Sequence, residues 1–195
     1  MRSRAAFTLV EALVSISIMA LAASVLMLGT SASVRTTDEG LKRAIAHGMA
    51  GRLMDEALGA RYHAIGVGGR QVGLGPSSYE RQGAGRRRYD DIDDYHGFRA
   101  QPPEDLWGVE LGSGDGEGDQ RHPAFAVPAG FFDNWRQEVD VYYVDESDLT
   151  APLPGSQVSD YRVVEVRIVH EHPQRGSRTL AELRRVVAYV PPEGN

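Results

Sequence analysis

From Ala12 to Val34 the chain carries no charged side chain, and Ala12 to Leu28 reads ALVSISIMALAASVLML. A helix of about 20 mostly apolar residues crosses a bilayer, so this run reads as a membrane span. In front of it sits a short basic leader with Arg2 and Arg4. Basic residues stay on the cytoplasmic side, which places the N-terminus inside and everything after residue 34 outside. An ordinary secretory signal, cut near Ala32 after Thr30-Ser31, is the competing reading. Against it stand the length of the apolar run, beyond the usual core of about 7–15 residues, and the carboxylate of Glu11 at its start.

An acid at the edge of hydrocarbon is costly unless it finds a partner. After Glu11 no positive side chain follows until Arg35, about six helical turns on. Its partner is therefore the headgroup zone, Arg2 or Arg4, or a group created by processing. A cut after Ala6 would give Phe7 a free α-ammonium, four residues before Glu11 and on the same helix face. That pair can form within one chain or between neighbouring chains.

The stretch Ala6-Phe7-Thr8-Leu9-Val10-Glu11, followed by the apolar run, resembles the processing site of type IV prepilins and type II secretion pseudopilins. The resemblance implies that prepilin peptidase removes residues 1–6 and N-methylates Phe7. It also implies that Glu11 neutralises the terminal amine of an adjacent subunit during assembly. Ala6 stands where that family generally has Gly. The implied partners are prepilin peptidase, other pilin or pseudopilin subunits and an inner-membrane assembly platform. The implied location is the bacterial inner membrane, single-pass, with the head outside, and then a pilus or pseudopilus.

Past Arg35, apolar Leu41, Ile45, Met49 and Leu53 recur every four residues, with Ala57 and Leu58 beyond them. This is an amphipathic pattern, interrupted by Gly40, Gly48 and Gly51. One continuous helix from Phe7 to Leu58 would be about 78 Å long. Two helices meeting near Gly29 fit the same residues. The expected organisation is a leader (1–6), a transmembrane or filament-core helix (7–34) and its amphipathic continuation (35–60). A loop-rich region (61–136) and an antiparallel sheet (137–195) follow. The fold class expected is α+β and pilin-like, a long N-terminal helix packed on a C-terminal antiparallel sheet.

Residues 66–88 hold seven glycines and end in Arg86-Arg87-Arg88, read as a solvated basic patch. No phosphate-binding fingerprint fits that loop. Next comes Tyr89-Asp90-Asp91-Ile92-Asp93-Asp94-Tyr95-His96-Gly97. Asp90, Asp91, Asp93 and Asp94 offer the oxygen ligands calcium takes, or they neutralise the arginines before them. The segment is similar to a signature of minor pilins of the mannose-sensitive haemagglutinin pilus type. A second acidic stretch places Asp115, Glu117 and Asp119 between glycines, and it reads as a flexible surface loop or a second calcium loop. The spacing and closing Glu of an EF-hand are missing from both, so no metal site is assigned.

Alternation marks strands at 137–144, 161–170 and 180–190, the last with a bulge or register change expected at Arg184-Arg185. His170 and His172 share a strand face but lack a third ligand at a recognisable spacing. No nucleophile or metalloprotease motif is present, so no catalytic residue is assigned. A net charge of −6 argues against nucleic-acid binding, and the absence of Cys excludes disulfides and thiol chemistry. The function expected is a structural, minor subunit of a type IV pilus or type II secretion pseudopilus. The alternative is a signal-anchored or secreted binding domain.

Overall fold

The computed structural model describes residues 8–112, 127–172, 174 and 176–191. Its first element is a single helix, α1 (Leu9–Leu58), which runs without a break through Gly29, Gly40, Gly48 and Gly51. The alternative of two helices meeting at Gly29 is thus excluded. Each interior glycine weakens a helix by roughly 0.5–1 kcal/mol, and the surrounding Ala, Leu and Met offset this through high helix propensity. The fold divides into two compact units, ending and beginning at Arg43 and Ala44.

In the first unit the helix is exposed on nearly all sides, with Leu13, Ile16, Ile18, Leu21, Leu26 and Met27 each more than half accessible. An 18-residue window has mean hydropathy 2.3, enough in length and composition to cross a membrane. Its hydroxyls do not compromise that property. Ser17 donates to the Leu13 carbonyl and Ser24 to the Ala20 carbonyl, each at 2.8 Å, and Thr30 to the Met27 carbonyl at 3.0 Å. Polar side chains that bond back to their own helix present little unsatisfied polarity to hydrocarbon. Nearer the unit's end, Lys42 pairs with Asp38 at 2.8 Å, the i,i+4 spacing of a solvated helix face.

The second unit contains the end of α1 and a four-stranded antiparallel sheet. Its strands are β1 (Phe98–Ala100), β2 (Trp135–Tyr143), β3 (Tyr161–His172) and β4 (Gly176–Ala188), in the spatial order β1-β2-β3-β4. The architecture is α+β, one long N-terminal helix followed by an antiparallel sheet, as the sequence led us to expect. Strand β1 comes from within the stretch read as loop; at three residues it is too short to show an alternation.

The core lies between α1 and one face of the sheet. Ala46, Ala50, Leu53, Met54 and Ala57 pack on Trp135, Val139, Val141, Val164, Val166 and Ile168. Leu53 and Ala57 belong to the stripe expected from sequence, and Ala46, Ala50 and Met54 extend it to one side. Leu41 is exposed, and Ile45 and Met49 lie at the edge of the core. Three of these five helix positions are alanines, with Leu53 and Met54 filling the space between them. The opposite face of the sheet carries a lattice of ion pairs. Arg167 bonds Asp140 at 2.7 Å and Glu138 at 3.1 Å, Arg99 bonds Asp140 at 2.9 Å, and Arg136 bonds Glu138 at 2.8 Å.

The expected irregularity in β4 is present but displaced. Ile168 pairs with Ala181 and Val169 with Thr179, so Leu180 is the extra residue of a bulge, while Arg184 and Arg185 keep regular pairing. The bulge turns Leu180 toward the core next to Ala181, satisfying two apolar neighbours at once. Burial, rather than the charge of the two arginines, sets its position.

Ala50 is fully buried, so Ala50→Leu should overpack the helix–sheet contact and destabilise the chain by about 1–3 kcal/mol. Thermal unfolding of the purified full-length protein measures this, and the exposed Ala44→Leu is the control.

Candidate assembly site and acidic segment

The helix start is built by the residues around Glu11. Thr8 precedes the first turn, and its N–H and its hydroxyl both donate to one Glu11 carboxylate oxygen, at 3.0 and 2.9 Å. The Glu11 N–H donates back to the Thr8 hydroxyl at 3.3 Å. This is a capping box, Thr-x-x-Glu, which satisfies N–H groups that a helix start otherwise leaves without partners. The sequence carries that signal plainly in Thr8 and Glu11, three residues apart. The cap engages a single carboxylate oxygen, Oε2, so the same carboxylate retains an acceptor for a group outside its own chain. Ala6 and Phe7 lie outside the described residues, as do Arg2 and Arg4.

The acidic segment Asp90–Asp94 is folded into a clasp. Asp91 Oδ1 accepts from the N–H groups of Asp93 and Asp94 at 2.9 and 3.3 Å, opening a short 3₁₀ turn. Asp94 Oδ2 accepts in turn from the N–H of Asp90 at 2.9 Å and of Asp91 at 3.4 Å. Asp93 reaches across to the sheet, bonding Arg162 Nη1 at 3.2 Å, and also accepts from Gln71. Backbone bonds tie the segment to the stretch after α1, from Arg61 N–H to the Asp90 carbonyl and from Ile92 N–H to the Arg61 carbonyl. Beyond it, Tyr95 donates to Glu56 at 3.1 Å, and His96 Nδ1 accepts from the Val141 N–H at 3.2 Å.

Arg162 is wholly buried at the start of β3, a position that its strand pattern does not mark as special. Besides Asp93 it donates to the carbonyls of Tyr62 and Gly69 and to the Tyr143 hydroxyl, at 2.6, 3.3 and 2.8 Å. Its guanidinium also lies over the rings of Tyr62 and Tyr143. The arginine run is not uniformly solvated, which corrects the reading of residues 86–88 as a surface patch. Arg86 is 2% exposed, with Nε 2.7 Å and Nη2 3.2 Å from the two oxygens of Glu56, and it stacks on Phe98. Half-buried Glu56 and, at 3.6 Å, Glu104 supply the negative charge that lets Arg86 be buried. Arg87 remains exposed, and Arg88 lies over the Tyr79 ring.

Two groups of carboxylates come close enough to share a cation: Asp91, Asp93 and Asp94, and Glu80, Asp90 and Asp94. In the first group the oxygens already accept from backbone N–H groups, Arg162 and Gln71, which is the arrangement of a structural knot. Asp115, Glu117 and Asp119 lie outside the described residues. His170 packs edge-on against Trp135, and neither carboxylate group includes a histidine.

Burial raises the pKa of Asp91, with Asp93 adding to the shift, and likewise raises that of Asp94, with Asp91 adding to it; backbone N–H donors oppose both. A carboxyl whose folded-state pKa is raised stabilises the fold below its ordinary pKa and loses that contribution as pH rises through the folded value. Their contribution should therefore fall as pH rises from about 4 to about 7 and stay flat above. Asp94→Asn, which keeps the acceptor oxygen, should flatten the melting temperature across that range relative to the unaltered chain. Arg162→Met leaves the buried Asp93 without its cation, and chemical denaturation should show a loss of about 3–5 kcal/mol.

Residues 1–27, of 195, match the family model of the prokaryotic N-terminal methylation motif. No curated protein and no solved structure gave a match to the chain. Residues 1–27 therefore carry the prepilin-type cleavage and methylation motif.

Proposed function

We propose that the protein is a structural subunit, in the minor class, of a type IV pilus or type II secretion pseudopilus. Prepilin peptidase cuts between Ala6 and Phe7 and methylates Phe7. The apolar part of α1 holds the chain in the inner membrane, with the N-terminus cytoplasmic and the head outside. From there an assembly platform draws it into a filament with other subunits. The observation that carries this reading is the methylation motif at residues 1–27, lying at the head of a helix able to span a membrane.

Glu11 is the assembly residue in this scheme. Its carboxylate caps its own helix through Thr8, and the methylated amine of a neighbouring Phe7 completes its hydrogen bonding. An ion pair out of bulk water fixes the register of adjacent helices, because either charge left alone there is costly.

Three measurements test the reading. Mass analysis of the N-terminal peptide from native membranes should find a chain starting at methylated Phe7 with the apolar segment retained. A start near Ser33 would instead mean a secreted domain. Glu11→Ala should leave export and head folding intact but lower incorporation into the filament by more than about tenfold, the effect of losing over roughly 1.4 kcal/mol. Unchanged incorporation would remove Glu11 from the scheme. Ala6→Gly should speed cleavage, read as the ratio of uncut to cut chain in a pulse-chase.

A further inference from the structure

A pocket of about 290 Å³ opens in the second unit, between α1 and the turn from Glu104 to Leu111. Ile45, Met49, Leu53 and Leu111 give it an apolar wall, and Gly48 completes that wall on the helix. A side chain added at Gly48 would meet nothing within 4 Å beyond its own helix, so packing of this chain does not require glycine there. Glycine weakens a helix interior. Here it leaves bare backbone beside an open space.

The polar wall is preformed. Gln137 accepts from the Glu104 N–H at 3.0 Å, and Asp105 Oδ1 accepts from the N–H groups of Trp107 and Val109 at 2.9 and 3.0 Å. It is nevertheless unsatisfied at one atom. Arg86 Nη1 is shut off from solvent and has no hydrogen-bond acceptor, a costly state for a buried donor. Glu104 Oε1 stands 3.6 Å from it, too far to accept. Burial raises the pKa of Glu104; Arg86 opposes the shift, and Asp105 and Glu56 add to it. A donor and a carboxylate thus border the same pocket without bonding each other.

We propose that this pocket docks a peptide segment of another chain, which inserts an aliphatic side chain and turns an uncharged amide toward Arg86 and Glu104. The amide oxygen accepts from Arg86 Nη1, and the amide N–H donates to the Glu104 carboxylate. Glu104 keeps 26% of its side chain exposed, so it can swing to admit the amide. Charge selects this guest over the others. A carboxylate would satisfy Arg86 but face Glu56 and Glu104, and an ammonium would satisfy Glu104 but lie against Arg86. Plain hydrocarbon would leave both unbonded. A peptide group brings a donor, an acceptor and a side chain for the apolar wall together. The volume, at the small end of ligand pockets of roughly 300–1,000 Å³, suits one residue and its flanking amides. The inference stands on the head alone and does not depend on the proposed filament role.

The test uses the full-length protein in detergent micelles, labelled at its methionine methyls and titrated with N-acetyl-leucinamide under NMR. The Met49 methyl in the pocket wall should shift saturably with millimolar affinity, while that of Met54 in the core should stay in place. N-acetyl-leucine, with its free carboxylate, should bind at least about fivefold more weakly. Gly48→Leu fills the pocket and should weaken the probe by at least about tenfold. Should that variant fail to fold, Glu104→Ala should weaken it by at least about fivefold. In native membranes, p-benzoylphenylalanine replacing the exposed Arg52 should cross-link a second polypeptide, and excess N-acetyl-leucinamide should suppress that product. Shifts confined to Met19 and Met27 would show partition into the micelle and overturn the proposal. So would equal binding of N-acetyl-leucine, unchanged binding to both variants, or a cross-link that the probe does not suppress.

Discussion

The buried guanidinium of Arg162 is the contact on which the head's loops depend. One side chain on β3 binds Asp93 of the acidic clasp, the Tyr62 carbonyl just after α1 and the Gly69 carbonyl of the glycine-rich stretch. Three separate chain segments thereby acquire fixed positions against the sheet. An arginine suits the task because its planar fork offers five donors and its face stacks on aromatic rings. The clasp supplies more negative charge than one guanidinium balances, with Asp91, Asp93 and Asp94 all buried. Burial first, and the neighbouring carboxylates second, make Asp91 and Asp94 hold their protons more firmly than usual. The second buried arginine, Arg86, repeats the device on a smaller scale, joining Glu56 of α1 to the stretch before the clasp and packing on Phe98 of β1.

In the first unit the helix satisfies its own polar groups, as a helix in hydrocarbon would have to: Ser17, Ser24 and Thr30 bond back onto its carbonyls, and Thr8 and Glu11 cap its start. The cap gives Glu11 a local role that is compatible with the proposed role in assembly. A carboxylate held in place by its own helix is pre-organised for an amine supplied by a neighbour, since little rotamer freedom remains to be lost.

Much of the fold was legible in the sequence because its signals are local. The uncharged, mostly apolar stretch from Ala12 to Val34 marks a helix able to span a membrane, and alternation in β2 and β3 marks strands with Val139, Val141, Val164 and Val166 inward. On the helix, Leu53 and Ala57 fall in the core as the four-residue spacing implies and Ile45 and Met49 at its edge, while Leu41 is exposed. Ala46, Ala50 and Met54 complete the buried face, and that spacing did not single them out. The acidic segment looked like a set of free oxygen ligands because composition shows which groups are charged but not what lies against them.

The N-terminal assignment was fixed by sequence alone. A basic leader, a cleavage-site pattern, a carboxylate and an apolar run occupy about thirty consecutive residues, and their meaning depends on order rather than on folding. The fates of the arginines and aspartates were decided by tertiary structure. Arg86 finds Glu56 across thirty residues of chain and Arg162 finds Asp93 across sixty-nine. Such separations leave no periodic trace, and whether a charge is buried and paired or exposed and solvated is settled only when the sheet brings those segments together.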